Sequence, residues 1–237
     1  MKTVAFILTT LLFMGSIRGQ SLLGAWVNTQ TTEDGQRIKN VVIFTEGHQV
    51  ATWFDATNGD FIGTNGGAWE LSGNTIKETV EFDTKNSDRV GSSISFEIEL
   101  QDDTLRIKDG QQVWTRIDDG TPGDLAGAWL MSGRRYNGQM QYRDTDRPRK
   151  TMKILSGTRF QWIAYNTETK QFMGTGGGTY TTVDGKYTEN IEFFSRDNSR
   201  VGASLEFDYA LKKGDWYHSG FSSKGKPLYE IWSKRML

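Results

Sequence analysis

Phe61-Ile-Gly-Thr-Asn-Gly-Gly67 and Phe172-Met-Gly-Thr-Gly-Gly-Gly178 are one stretch written twice, 111 positions apart. At the same shift Trp69 falls on Tyr180, Glu78-Thr-Val-Glu-Phe82 on Glu189-Asn-Ile-Glu-Phe193, Arg89-Val-Gly91 on Arg200-Val-Gly202, and Phe96 on Phe207. Of the 36 positions from 61 to 96, 13 are identical without a gap. Ordinary residue usage gives about one match in fifteen. The chain is therefore an internal duplication, and its 237 residues divide into two units of similar design.

Outward from that stretch, each unit reads as short strands punctuated by turns. In the first, strands are expected near 24–30, 38–45, 49–55, 60–71, 74–84, 92–101, 104–108 and 111–117. Period-two alternation is clearest where Ile94, Phe96, Ile98 and Leu100 interleave with Ser93, Ser95, Glu97 and Glu99. Turn formers fall where the strands stop, as in Glu46-Gly47, Thr57-Asn-Gly59 and Ser72-Gly-Asn74. In the second unit the expected strands lie near 127–133, 150–155, 159–166, 171–182, 186–195, 203–212, 215–220 and 226–234. Consecutive antiparallel strands leave two raw sheet edges unless the sheet closes. The fold class is thus all-β, with two tandem antiparallel up-and-down β-barrels of about eight strands each. The glycine runs at 63–67 and 174–178 lack the Lys-Ser/Thr and the following helix of a phosphate loop. They mark a bulge, or bare backbone lying against a bulky neighbour or ligand.

Residues 1–19 read as a signal peptide: Lys2, an apolar run from Val4 to Met14, and a small-residue exit ending at Gly19. That run is too short to span a bilayer, and no other segment is long enough. The chain has no Cys, hence no disulfide framework. A secreted protein, periplasmic or extracellular, is expected. The first barrel takes residues 20–117, a turn-rich linker 118–123, and the second barrel 124–237; the scarcity of Pro suggests two compact domains joined by little else. Residues 20–121 carry 8 Lys/Arg against 17 Asp/Glu, while 122–237 carry 18 against 12. Barrels of opposite sign could dock on each other. Nucleic acid is not an expected partner. An insertion of about eight residues in the second unit brings Arg134, Arg135, Arg143, Arg147 and Arg149, either as a diverged functional loop or as a solvated loop facing the acidic half.

Each unit opens on Gly-Ala-Trp (Gly24 to Trp26, Gly127 to Trp129) and closes on a Trp followed by a cation (Trp114 with Arg116; Trp232 with Lys234 and Arg235). In these motifs the chain resembles a tandem of lipocalin-like (calycin) domains, especially those of secreted proteins from Bacteroidota-type bacteria. The resemblance implies that Trp26 and Trp129 plug the closed ends, with Arg116, Lys234 and Arg235 as the packing cations. Neither unit has the long first loop or C-terminal helix of typical lipocalins, so a shorter avidin- or fatty-acid-binding-like barrel is equally open.

No thiol, no Gly-x-Ser-x-Gly elbow and no metal-ligand spacing is present, so no catalytic residue, metal or cofactor is assigned. His48 reads as a solvated turn residue and His218 as part of a strand face. Glu78 and Glu81 are three apart and face opposite sides of a strand, so they are not a catalytic carboxylate pair. Glu78 shares its face with Val80 and Phe82, and Glu189 with Ile191 and Phe193. If those faces point inward, each carboxylate needs a donor or a proton; Arg89, Arg200, Tyr180 and Tyr187 are available. Each Glu is then either a ligand anchor or an internal structural contact. Trp53, Trp69, Trp162, Tyr165 and Tyr180 complete the candidate lining, which core packing also explains. A small, partly apolar ligand in a barrel cavity is the expected function. The alternatives are an interaction protein with filled barrels, or an enzyme using Glu78 or Glu189 as acid–base.

Overall fold

The computed structural model describes residues 21–108, 110, 112–121 and 123–236. The leader expected at 1–19 lies outside the described residues, as do Asp109, Gln111, Pro122 and Leu237. In the first half β1 (Gly24–Thr31), β2 (Arg37–Thr45), β3 (His48–Asp55), β4 (Phe61–Ser72), β5 (Thr75–Asp83), β6 (Ser93–Gln101), β7 (Thr104–Ile107) and β8 (Val113–Asp118) pair in order. The ring closes where Trp26 of β1 meets Arg116 of β8. In the second half β9 (Gly127–Tyr136) is followed by β10 (Gln139–Tyr142), β11 (Arg149–Leu155), β12 (Arg159–Asn166), β13 (Phe172–Val183), β14 (Lys186–Phe194), β15 (Ser204–Lys212), β16 (Asp215–Phe221) and β17 (Pro227–Lys234). Here β17 returns to β9, and β10 is an extra strand paired to the far end of β9. The two closed eight-strand antiparallel barrels fit a tandem calycin-like fold.

The Gly-x-Trp signature has a steric cause. Gly24 sits at φ 113° and Gly127 at φ 135°, backbone that side chains rarely adopt, and a Cβ on Gly24 would collide with the Asp118 carbonyl. The bare glycine lets β1 cross the end of β8. Trp26 is then 0% exposed, and its indole N–H donates to the Leu22 carbonyl at 2.9 Å. The Arg116 guanidinium lies 4.1 Å from the ring and donates to the carbonyls of Leu23 (3.0 Å) and Ser21 (2.7 Å). In the second barrel Trp129 donates to Leu125 at 2.9 Å, with the Lys234 ammonium 5.8 Å from the ring. The Arg235 backbone N–H extends the seam, donating to the Ala128 carbonyl at 2.8 Å, but its guanidinium does not pack on the indole and reaches across to the first barrel.

The repeated glycines make bulges. Register slips between Gly66 and Gly67 and between Gly177 and Gly178, where a Cβ on Gly67 or Gly178 would strike the Thr79 or Asn190 carbonyl. Beyond the bulge the chain changes face. Phe82 and Phe193 therefore leave the faces of Glu78 and Glu189 and join a core between the barrels. That corrects the sequence expectation of a continuous inward Glu78–Val80–Phe82 row.

That shared core also corrects the expectation of two domains joined by little else. One cluster fills the first barrel, another the second, and a third combines Val41, Ile43, Val50, Phe54 and Phe82 with Met152, Ile154, Ile163, Tyr165 and Phe193. The contacts are reciprocal. Phe54 stacks on Phe193 at 4.9 Å, Phe82 on Tyr165 at 4.8 Å, and Phe61 on its own repeat Phe172 at 5.9 Å. Such exchange is the mark of an isologous dimer, here within one chain. Ion pairs cross in both directions, Lys39 to Glu192 (2.9 Å) and Arg235 to Glu81 (2.5 Å), so docking follows apolar complementarity and not the bulk charge difference. The arginine-rich insertion lies on the second barrel: Arg134 packs on Tyr136, Arg135 on Tyr229, and Arg147 pairs with Asp144.

Candidate functional site in the first barrel

Directly opposed residues on antiparallel strands share a face, so the register maps the lumen. Trp26, Val42, Ala51 and Asn65 form one inward row, and Asn28, Asn40 and Trp53 the next. Across the barrel Trp69, Glu78 and Ile94 form a third. One end is apolar and closed: Trp26, Val42, Phe44, Ile76, Ile98, Leu105 and Trp114 are buried together. Asn28, Trp53, Asn65, Glu78, Ile94 and Phe96 also face inward yet stay partly exposed. In a closed ring of strands, solvent reaches an inward side chain through the barrel end.

Polar groups above the apolar floor lack partners. Asn40 is 2% exposed, and neither its amide nitrogen nor its amide oxygen has a hydrogen bond. Its cross-strand neighbour Asn28 donates to the Val113 carbonyl at 2.7 Å, but its buried Oδ1 accepts nothing. Among the side-chain hydrogen bonds of the described residues, none involves the Glu78 carboxyl, although its backbone is laddered to β4 and β6. Burial pushes its carboxyl up to about 7, against a smaller opposing pull from Arg89. Arg89 itself donates to Asp83 at 2.8 Å.

The same position in the second barrel is satisfied internally. The 111 shift sets Lys153 on Val42, and both oppose the plug tryptophan of their barrel. Lys153 crosses the lumen and donates to Glu189 at 2.7 Å, and the Tyr187 hydroxyl donates to the same oxygen at 2.9 Å. Both charged residues are 5% exposed. The ammonium lies 5.0 Å from the Tyr187 and Trp216 rings, 5.2 Å from Trp232 and 5.9 Å from Phe207. Burial, reinforced by Lys153, holds the His218 ring below its usual range. It is neutral at pH 7 and meets Glu230 at 3.4 Å as a hydrogen-bond donor. Large side chains occupy this lumen, with Tyr187, Trp216 and Trp162 where the first barrel has Ile76, Leu105 and Ala51.

The structure brings only some sequence-selected residues into the first lumen. Trp53 and Glu78 face it. Arg89 acts on Glu78 through space but is bonded to Asp83. Trp69 faces the first lumen beside Glu78, and Tyr180 the second beside Glu189, but each is tied down by its polar end. They fasten equivalent hairpins, Trp69 donating to the carbonyls of Thr45 (2.9 Å) and His48 (3.1 Å) and Tyr180 to Ser156 (2.6 Å). Tyr165 points out of its barrel, where its hydroxyl donates to Glu81 at 2.5 Å. Arg200 pairs with Asp197 at 3.0 Å and does not reach Glu189, whose partners are Lys153 and Tyr187. Trp162 packs against Phe194 at 5.4 Å. His48 is buried, with its ring pushed down to about 4 by burial and then by Arg235, contrary to the solvated turn residue expected. Asn28, Asn40 and Lys153 escaped the sequence reading, although the Val42-to-Lys153 difference is visible in the repeat.

Two clefts also open at the junction of the barrels. One of about 430 Å³ runs along Leu23, Phe44, Ala128 and Leu155, and one of about 810 Å³ along His48, Trp69, Glu81 and Arg235. The charged pair in the larger cleft is already satisfied, since Arg235 and Tyr165 bind Glu81. Residues 124–236, the second barrel, match the family model of a domain of unknown function (DUF4488). No curated protein matches the chain.

Proposed function

We propose that the first barrel is a binding module for a small, partly apolar ligand. The ligand enters by the open end and rests over the floor of Trp26 and Trp114. Glu78, Asn28 and Asn40 meet its polar groups. The second barrel, filled by its own side chains, is the rigid partner that holds the first in shape. The apolar leader expected at residues 1–19 would deliver the chain outside the cytoplasm, where the ligand is met.

The observation that carries this reading is Asn40, with both ends of a buried amide unpartnered. Leaving such groups unsatisfied costs about 1–3 kcal/mol each, and a ligand or ordered water supplying the partners removes that cost. The comparison between barrels adds to it, because the equivalent carboxylate of the second barrel has its partners built in. Native mass spectrometry of protein purified from its own host tests the proposal. A one-to-one mass increment is expected. It should be absent from the double variant Ala51→Trp/Asn65→Gly, which copies the Trp162–Gly176 pair of the second barrel. A passenger that persists in the folded double variant, or bare mass for both proteins, refutes the assignment.

A further inference from the structure

The second barrel displays, within its own chain, what its lumen is built to hold. Lys153 starts on the strand opposite the plug tryptophan and ends on Glu189, 2.7 Å away. Positions 153 and 189 therefore stand one lysine length apart across the lumen, and by the repeat so do positions 42 and 78. In the first barrel the strand carries Val42, which is too short to reach. The carboxylate is kept and its cation is lost. The side walls are smaller at the same level, since Ile76 and Leu105 stand where the second barrel has Tyr187 and Trp216.

We infer that the ligand of the first barrel carries a protonated amino group on a short apolar stem. That group sits against Glu78 as the Lys153 ammonium sits against Glu189. The inference rests on the binding-module reading above and names the chemistry of its ligand. The buried unpartnered atoms of the first lumen lean the same way: Asn28 Oδ1 and Asn40 Oδ1 accept, whereas Asn40 Nδ2 donates. The nearby cation, Arg89, is committed to Asp83 at 2.8 Å. Phe96 and Trp114 remain at the places of Phe207 and Trp232 to face the cation, and Ile76 and Leu105 offer aliphatic surface to the stem.

Butylammonium, butan-1-ol and butyrate share one carbon chain and differ in the head group, and butylammonium is the lysine side chain itself. Titration calorimetry of the full chain at pH 8, above the value of about 7 to which Glu78 is raised, separates them. Butylammonium is expected to bind at one site, about ten- to a hundred-fold more weakly in Glu78→Gln, the span of one charge-assisted hydrogen bond. Val42→Lys, which installs the internal ammonium, should abolish binding while circular dichroism shows an intact fold. Equal binding of butanol or butyrate, or unchanged butylammonium binding in both variants, overturns the cation inference and leaves the binding module standing. If none of the three binds while a native passenger is found, the cation inference again falls alone. If none binds and no passenger is found, both readings fall.

Discussion

Glu78→Gln should stabilise the protein, and by an amount that depends on pH. The fold raises this carboxyl from 4.5 to about 7 because burial penalises its charged form. A raised value means that the native state favours the protonated form. The stability this provides is complete below about pH 4.5 and is lost as pH rises through 7. The full displacement corresponds to about 3 kcal/mol. Glu78 is partly exposed, so solvent screening brings the expected effect to about 1–3 kcal/mol. Glutamine keeps the shape and cannot ionise. Thermal unfolding followed by circular dichroism should therefore show nearly equal Tm for wild type and variant at pH 4. At pH 8 the variant should be higher by roughly 3–10 °C, given about 2–4 °C per kcal/mol for a chain of this size. A Tm difference that is flat from pH 4 to pH 8, or a less stable variant at pH 8, refutes the reasoning.

Lys153→Ala removes one partner of a buried pair and should cost roughly 3–5 kcal/mol by urea denaturation. Adding Glu189→Gln should recover part of that loss, and tens of millimolar butylammonium should raise the Tm of the single variant. Trp129→Ala removes the plug of the second barrel and should destabilise by roughly 3–5 kcal/mol, whereas a loss below about 1 kcal/mol would contradict the closure described. Glu81→Gln weakens the bonds from Arg235 and Tyr165 across the barrels. A loss of about 2–3 kcal/mol is expected, with increased proteolysis between the barrels as the check.

Much of the architecture was legible in the residues. Strand spans followed from alternation and turn chemistry, and barrel closure from the absence of any cover for two sheet edges. The plugs were implied by the lipocalin-like resemblance that Gly-Ala-Trp and the terminal Trp and cation carry. What misled was the assumption of unbroken alternation through Glu78–Phe82. The bulge at Gly66–Gly67 turns Phe82 outward, so a residue assigned to the lumen belongs to the barrel–barrel core. Tyr165 was misassigned for a related reason. A strand with apolar residues on both faces, such as Arg159–Asn166, has two buried sides, and nothing local says which is the lumen. Lys153 was legible only as a departure from its repeat, and its meaning depended on Glu189 lying across the barrel.

The sequence by itself determined that the chain is doubled and that each copy is an antiparallel barrel, and its resemblance to lipocalin-like domains implied an indole sealing each one. Those features are periodic and local, and they are written in neighbouring residues. Only the tertiary structure decided that the barrels dock face to face through reciprocal aromatic contacts. It alone separated one Glu satisfied by a lysine from its twin left bare. The physical reason is distance along the chain: Lys153 and Glu189 are 36 residues apart, and Glu81 and Arg235 are 154 apart. Such partners become visible when the sheet rolls shut and the two rolls meet.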